Sequence, residues 1–171
     1  MSEIINYFAY GSNLLPLRLS QRVASSKALG YASLHGYQLH YHKKGKDDSG
    51  KCNVLHTGQA QHRVIGVVYE MRADERVLLD AAENLGNGYE LEHHQVEMGE
   101  VMHQVFVYVA PAEHIDDRLV PYSWYKDLVV VGARAHGLPE SYIETFLQVP
   151  SYPDPDEKRH ALHQQILLDG E

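Results

Sequence analysis

The sequence predicts an α+β domain, and three observations predict it. Short runs with strand-like alternation or unbroken apolar character recur along the chain, as in Tyr37-Gln38-Leu39-His40-Tyr41 and Val64-Ile65-Gly66-Val67-Val68. Helical segments with stop signals are interleaved with these strands, without the strict strand–helix alternation of a doubly wound sheet. Tyr89–Val96 and Val101–Val109 are separated by only a few residues around Met98-Gly99, the length of a hairpin connection.

In chain order, Ile4–Tyr10 is a strand and Leu15–Val23 a short helix. One or two strands run through Ala32, Leu34 and Gly36 and on through Tyr37, Leu39 and Tyr41, ending at a Gly- and Asp-rich loop over Lys43–Gly50. Lys51–His56 and Val64–Met71 are strands. Ala73 to about Ala82 is a helix with Asp74 and Glu75 in its first turn, where negative charge favours the helix dipole. After the hairpin, Ser123–His136 is a helix stopped by Gly137 and Pro139, and Glu140–Leu147 is a second. Pro150–Pro155 is a Pro-rich connector, and Asp156–Leu168 a terminal helix expected to pack loosely. Residues 1–171 are expected to form a single domain with its core at about 4–148, and 150–171 adding the connector and last helix.

At 44% hydrophobic residues, such a domain has a real core. The net charge of −8 argues against a nucleic-acid partner, and the Lys43-Lys44-Gly45-Lys46 stretch, beside Asp47 and Asp48, reads as a solvated loop. The single cysteine, Cys52, excludes an internal disulfide and fits a reducing compartment. With no basic segment leading into an apolar run at the N-terminus, no signal peptide is expected, and with no apolar stretch of spanning length, no membrane contact. A cytoplasmic location is therefore expected. A homodimer stays open.

The chemistry-bearing stretch is Tyr7-Phe8-Ala9-Tyr10-Gly11-Ser12-Asn13-Leu14. A strand that stops at Gly11 and hands over to a helix exposes several backbone N–H groups on a concave turn, and such a turn holds anions. Gly11 lacks the Cβ that would block a ligand, and Ser12 and Asn13 can cap or donate.

That stretch resembles the N-terminal signature of the γ-glutamylcyclotransferase, or AIG2-like, family. Three further blocks match in order: Val67-Val68-Tyr69-Glu70-Met71; Leu79-Asp80-Ala81-Ala82-Glu83-Asn84 with Gly88-Tyr89 after it; and Pro121-Tyr122-Ser123-Trp124-Tyr125-Lys126 with Gly132-Ala133 and His136-Gly137-Leu138-Pro139. Together they cover roughly residues 4 to 148. The resemblance implies a small mixed β-barrel flanked by helices, with a ligand pocket at its mouth. It implies conversion of a γ-glutamyl compound to 5-oxoproline and a free amine, a transferase or lyase reaction that uses no cofactor. Within it, Glu83 matches the catalytic carboxylate, and Tyr7, Phe8, Ala9, Tyr10, Gly11, Ser12, Asn13, Tyr89 and Tyr125 match the substrate-binding positions. A non-catalytic module binding small carboxylates on the same fold is the alternative.

The residues themselves place Glu83 less simply. Val77, Leu78, Ala81 and Leu85 cluster on one helical face, which leaves Glu83 nearly opposite; Gly86 and Gly88 predict that the helix ends near Ala82, letting Glu83 turn inward. Tyr7 and Tyr10, three apart on a strand, are expected to face different sides. Of the 12 histidines, His40 with His42 and His160 with His163 have the spacing of paired ligands, but neither pair has a third ligand nearby, and no metal is expected. Cys52 reads as a packed thiol, and the absence of Gly-x-Ser-x-Gly removes the serine-hydrolase reading.

Overall fold

A computed structural model describes residues 2–170. Its centre is a closed five-stranded barrel in the order β1-β5-β2-β6-β7, formed by β1 (Ile4–Ala9), β2 (Lys27–His35), β5 (Arg63–Arg72), β6 (Glu90–Met98) and β7 (Val101–Val109). Every pairing is antiparallel except β1 with β7, which meet in parallel at Tyr7 and Phe106 and close the barrel. The remaining two strands, β3 (Tyr37–Lys44) and β4 (Gly50–His56), form a separate hairpin. Closure leaves β5 buried on both faces, which explains its unbroken Val-Ile-Gly-Val-Val run.

Among the described residues five α-helices flank the strands: α1 (Pro16–Arg22), α2 (Arg76–Ala82), α3 (Ser123–Ala135), α4 (Glu140–Leu147) and α5 (Glu157–Gly170). Helix α3 buries Trp124, Tyr125, Leu128, Val129, Gly132 and Ala133, the three- and four-residue spacing of an amphipathic helix. Gly132 is where the turn after β1 rests on α3: a Cβ there would fall 2.5 Å from the Leu15 nitrogen. A larger residue would push the turn off the helix. At Gly137 the chain takes φ +67 and ends α3, as its position predicts. Among the described residues no helix is long and apolar enough to cross a membrane.

Three expectations need correction. Helix α5 does not pack loosely: the His163 ring stacks on Trp124 at 3.5 Å, Leu167 is buried, and Arg159 pairs with the buried Asp154, which also accepts from Trp124 Nε1. The Lys43-Lys44-Gly45-Lys46 stretch is not a solvated loop, because β3 runs through Lys44 and Lys43 is buried. The buried face of α2 is also phased differently. Val77 and Leu78 are 65% and 54% exposed, whereas Leu79 is fully buried, and Leu79 is one turn from Glu83. Glu83 therefore lies on the inward side of its helix.

Candidate active site

Strand β1 ends at Ala9, and the chain turns through Tyr10 and Gly11 into a 3-10 turn over Ser12–Leu14. The Leu14 and Leu15 amides bond back to the Gly11 and Ser12 carbonyls at 3.0 and 3.3 Å. Among the described residues, the N–H groups of Gly11, Ser12 and Asn13 have no acceptor. Helix α1 begins only at Pro16, beyond this turn. The donors belong to the turn itself.

Seventy residues away, α2 delivers Glu83 to the same place. Its end has the geometry of a Schellman cap: the Leu85 amide bonds to the Asp80 carbonyl at 2.9 Å and the Asn84 amide to the Ala81 carbonyl at 3.1 Å. Asn84 takes the left-handed conformation, φ +55, that usually falls to glycine. The helix thus stops near Ala82 as predicted, but the terminator is Asn84, not Gly86 or Gly88. Tyr89 comes soon after, held by a bond from the Gly86 amide to its carbonyl.

The two segments meet through Asn13. Its Nδ2 donates to Glu83 Oε1 at 2.8 Å and to the Tyr7 hydroxyl at 3.0 Å, while its Oδ1 accepts from Arg22 at 2.9 Å. Arg22 also pairs with Glu83 Oε1 at 3.0 Å. Oε1 is thereby fixed by two donors, and Oε2 has no partner among the described residues. The Asn13 amide is fully committed to this network, so its work is to orient Glu83.

A small inner cavity of about 30 Å³ touches Tyr7, Tyr10, Gly11, Ser12, Asn13, Glu83, Tyr89 and Tyr125, together with Cys52 and Tyr108. It continues into an outer cavity of about 430 Å³, with which it shares Ser12, Glu83, Tyr89 and Tyr125. Gly11 lies close against β4 and the Tyr125 hydroxyl. A Cβ there would meet Cys52 Cβ at 3.0 Å and the Tyr125 hydroxyl at 3.4 Å.

The aromatic wall is hydrogen-bonded into place. Tyr89 donates to the Cys52 carbonyl at 2.7 Å, and the Tyr125 hydroxyl accepts from the Cys52 amide at 2.9 Å, so the two tyrosines grip β4 opposite Gly11. Tyr10 donates to the Tyr108 carbonyl at 2.5 Å, and Tyr108 to Asp80 at 2.6 Å. Burial raises the pKa of Tyr10, Tyr89 and Tyr125 well above the ordinary value, and that of Tyr7 as well, with the Glu83 charge adding to it. These hydroxyls stay protonated. Burial likewise pushes the Cys52 thiol up to about 12, so it is neutral and no nucleophile.

Phe8 and Ala9 do not reach the cavity. Both are fully buried in the barrel core, with the Phe8 ring 6.5 Å from that of Tyr10. Tyr7 and Tyr10 both line the cavity, contrary to the strand alternation expected of them. The strand ends at Ala9, so Tyr10 already belongs to the turn. Arg22 and Tyr108 are parts of the site that the sequence does not announce. Arg22 carries a signal only in hindsight, as the last residue of the helix after the turn; Tyr108 has none that separates it from the other tyrosines.

Neither histidine pair gathers a third potential ligand among the described residues. The His40 and His42 rings stack at 4.8 Å, but both His42 nitrogens are engaged, Nδ1 with Asp117 and Nε2 with Asn53. No group of three potential ligands occurs among the described residues.

The sequence profile of the family described as gamma-glutamyl cyclotransferase, AIG2-like, matches residues 7–127. A comparison with curated protein sequences finds no match. Among solved structures, the chain is similar to a gamma-glutamyl cyclotransferase, with a TM-score of 0.87 at 24% identity over 98% of this chain and 100% of the other. An uncharacterised protein from Homo sapiens gives 0.81 at 24% identity over 95% and 99%. The gamma-glutamyl cyclotransferase specific to glutathione from yeast gives 0.55 at 16% identity over 97% and 96%. At these identities the likeness is one of fold.

Proposed function

The chain belongs to the gamma-glutamyl cyclotransferase, AIG2-like family, and from that premise we propose that it converts a γ-glutamyl amino acid or amine to 5-oxoproline and the free amine. The observation that carries this reading is the convergence of one carboxylate, Glu83, and one turn of unpaired amides, Gly11–Asn13, on a single cavity.

The substrate brings its own nucleophile. Its α-nitrogen attacks the γ-carbonyl carbon; the ring C–N bond forms, the bond to the departing nitrogen breaks, and no water enters the balance. Positioning supplies much of the acceleration in such a ring closure, up to roughly 7–11 kcal/mol at the ceiling. The turn amides suit the substrate α-carboxylate, which fixes the α-nitrogen, or the oxygen of the carbonyl under attack. The α-nitrogen begins as an ammonium and ends as a lactam N–H, so it sheds two protons; Glu83 takes the first, passes it to the departing nitrogen, then takes the second, and the departing amine leaves with both. Arg22 and Asn13 hold Oε1 during this exchange and leave Oε2 for the proton. Tyr7, whose hydroxyl accepts from Asn13, keeps its own hydrogen to donate.

The test is incubation with a panel of γ-glutamyl compounds, scored for 5-oxoproline by mass spectrometry. A companion substrate whose α-amino group is acylated should inhibit without turning over, because an amide nitrogen cannot attack. Release of the corresponding N-acylglutamate would make the protein an amidase. Binding of 5-oxoproline with no turnover of any compound would leave a carboxylate-binding module.

A further inference from the structure

The outer cavity is electrically unlike the rest of the molecule. In a chain of net charge −8, six cations line it, Arg18, Arg22, Lys43, Lys46, Lys51 and Arg159, against two carboxylates, Asp47 and Glu83. Three of the six have partners: Arg22 with Glu83, Lys51 with Asp47 at 2.9 Å, and Arg159 with Asp154. Lys46 is exposed to water and needs none. Arg18 and Lys43 are different. Neither has a carboxylate within ion-pair distance among the described residues. Arg18 Nε is buried without a hydrogen bond, and Lys43 is 7% exposed with its ammonium 4.6 Å over the Tyr89 ring.

Both also sit in like-charge pairs. Arg18 and Arg22 are four residues apart on α1, on one face of the helix. Lys43 and Lys51 are directly opposed across the β3–β4 hairpin. Each arrangement repels, and each turns its charge towards the same cavity. Burial and the neighbouring Arg22 lower the Arg18 pKa to about 10, and burial lowers Lys43. Charge removed from water without a partner is costly, and two such groups lining one cavity of about 430 Å³ suit an anion in it. One carboxylate would satisfy one of them. Two unpaired cations call for two negative charges.

We propose that this cavity receives the departing amine of the γ-glutamyl substrate, and that this amine carries at least two negative charges, as a dicarboxylate or a phosphate, seated between Arg18 and Lys43. The assignment to the departing amine rests on the cyclotransferase reading; the anion site does not.

The experiment compares near-isosteric substrates differing in charge: γ-glutamyl-glutamate against γ-glutamyl-glutamine, and γ-glutamyl-O-phosphoethanolamine against γ-glutamyl-ethanolamine. At least one anionic member should show kcat/KM about tenfold or more above its neutral counterpart, the scale of a hydrogen bond to a charged group. The larger ratio identifies the anion. Arg18→Gln and, separately, Lys43→Met should pull that ratio towards one, and the wild-type ratio decides the matter should a variant fail to fold. Ratios near one in both pairs, with turnover intact, overturn the proposal and leave the cyclotransferase reading standing. Calorimetric binding of glutamate against glutamine, and of O-phosphoethanolamine against ethanolamine, needs no turnover. If no γ-glutamyl compound yields 5-oxoproline, the reaction falls, yet tighter binding of an anionic amine that is lost in Arg18→Gln upholds the site. Absence of turnover together with no preference in binding removes both.

Discussion

The inner and outer cavities share a wall and differ in almost everything else. In the inner one, the polar side chains answer one another: Tyr10 to the Tyr108 carbonyl, Tyr89 to the Cys52 carbonyl, Asn13 to Tyr7 and Glu83. What is left over is narrow, the turn amides and Glu83 Oε2. In the outer one, positive charge is in excess and two cations have no partner among the described residues. The difference teaches how one site divides its work. A preorganised, hydrogen-bonded pocket suits a constant chemical group that must be held to a fraction of an ångström, whereas uncompensated charge suits a group defined by its sign more than its shape.

The comparison breaks most severely at Glu83, one of the residues both cavities share. Glu83→Gln keeps the shape and can still accept from Asn13, but it cannot cycle a proton. Turnover should fall by about 10²–10⁴ while the thermal midpoint barely moves. Near-normal turnover would remove Glu83 from the chemistry and shift attention to the tyrosine hydroxyls.

Gly11→Val tests the inner cavity alone. The added side chain begins 3.0 Å from Cys52 Cβ, and its methyl groups extend into a space of about 30 Å³. Affinity for 5-oxoproline, measured by calorimetry, should drop by roughly tenfold or more, the cost of overpacking a tight space. An unchanged affinity would move the ligand off the turn. Tyr7→Phe is gentler. The ring still stacks on Phe106 at 5.2 Å, and Asn13 still holds Glu83, but one donor is lost. A loss of about tenfold in kcat/KM with about 1 kcal/mol of stability is expected, read by kinetics and denaturation together.

Most of the strands were legible in the sequence because alternation and β-branched runs report burial directly, and β5 is the clearest case. The turn at Gly11 was legible because an apolar run broken by Gly-Ser-Asn marks the end of a strand. Glu83 was legible only through resemblance. Its helix carries Val77 and Leu78 on the solvent side, so the apolar residues pointed the wrong way, and the single residue that sets the phase, Leu79, was outvoted. The basic cavity was illegible for a different reason. Lysines around Gly45 and Asp47 look like a loop, and only the hairpin register, shifted between His40 and Lys43, sets Lys43 against Lys51. Pairwise register across a hairpin is not written in local composition. Nor is the distance from α1 to β4, which brings Arg18 to the same cavity.

The smallest expected effect is also the one that separates the cavities most cleanly. Raising ionic strength from about 0.05 to about 0.5 M shortens the screening length from more than about 10 Å to a few ångströms. Binding governed by the outer cavity should weaken several-fold, because Arg18, Lys43 and Lys51 act on their ligand through charge. Binding of 5-oxoproline in the inner cavity, shielded and held by short hydrogen bonds, should change far less. Alkali should act in the same sense. Burial lowers the pKa of Lys43 and of Lys51, the latter further depressed by Arg18 and Lys43, so these ammonium groups lose their charge below the ordinary lysine value of 10.5. The positive charge disappears as the pH rises through the lowered values. A preference for the anionic amine should therefore decline on the alkaline side before 10.5 is reached. Parallel salt and pH dependences for γ-glutamyl-glutamate and γ-glutamyl-glutamine would mean that the outer cavity does not distinguish their charge.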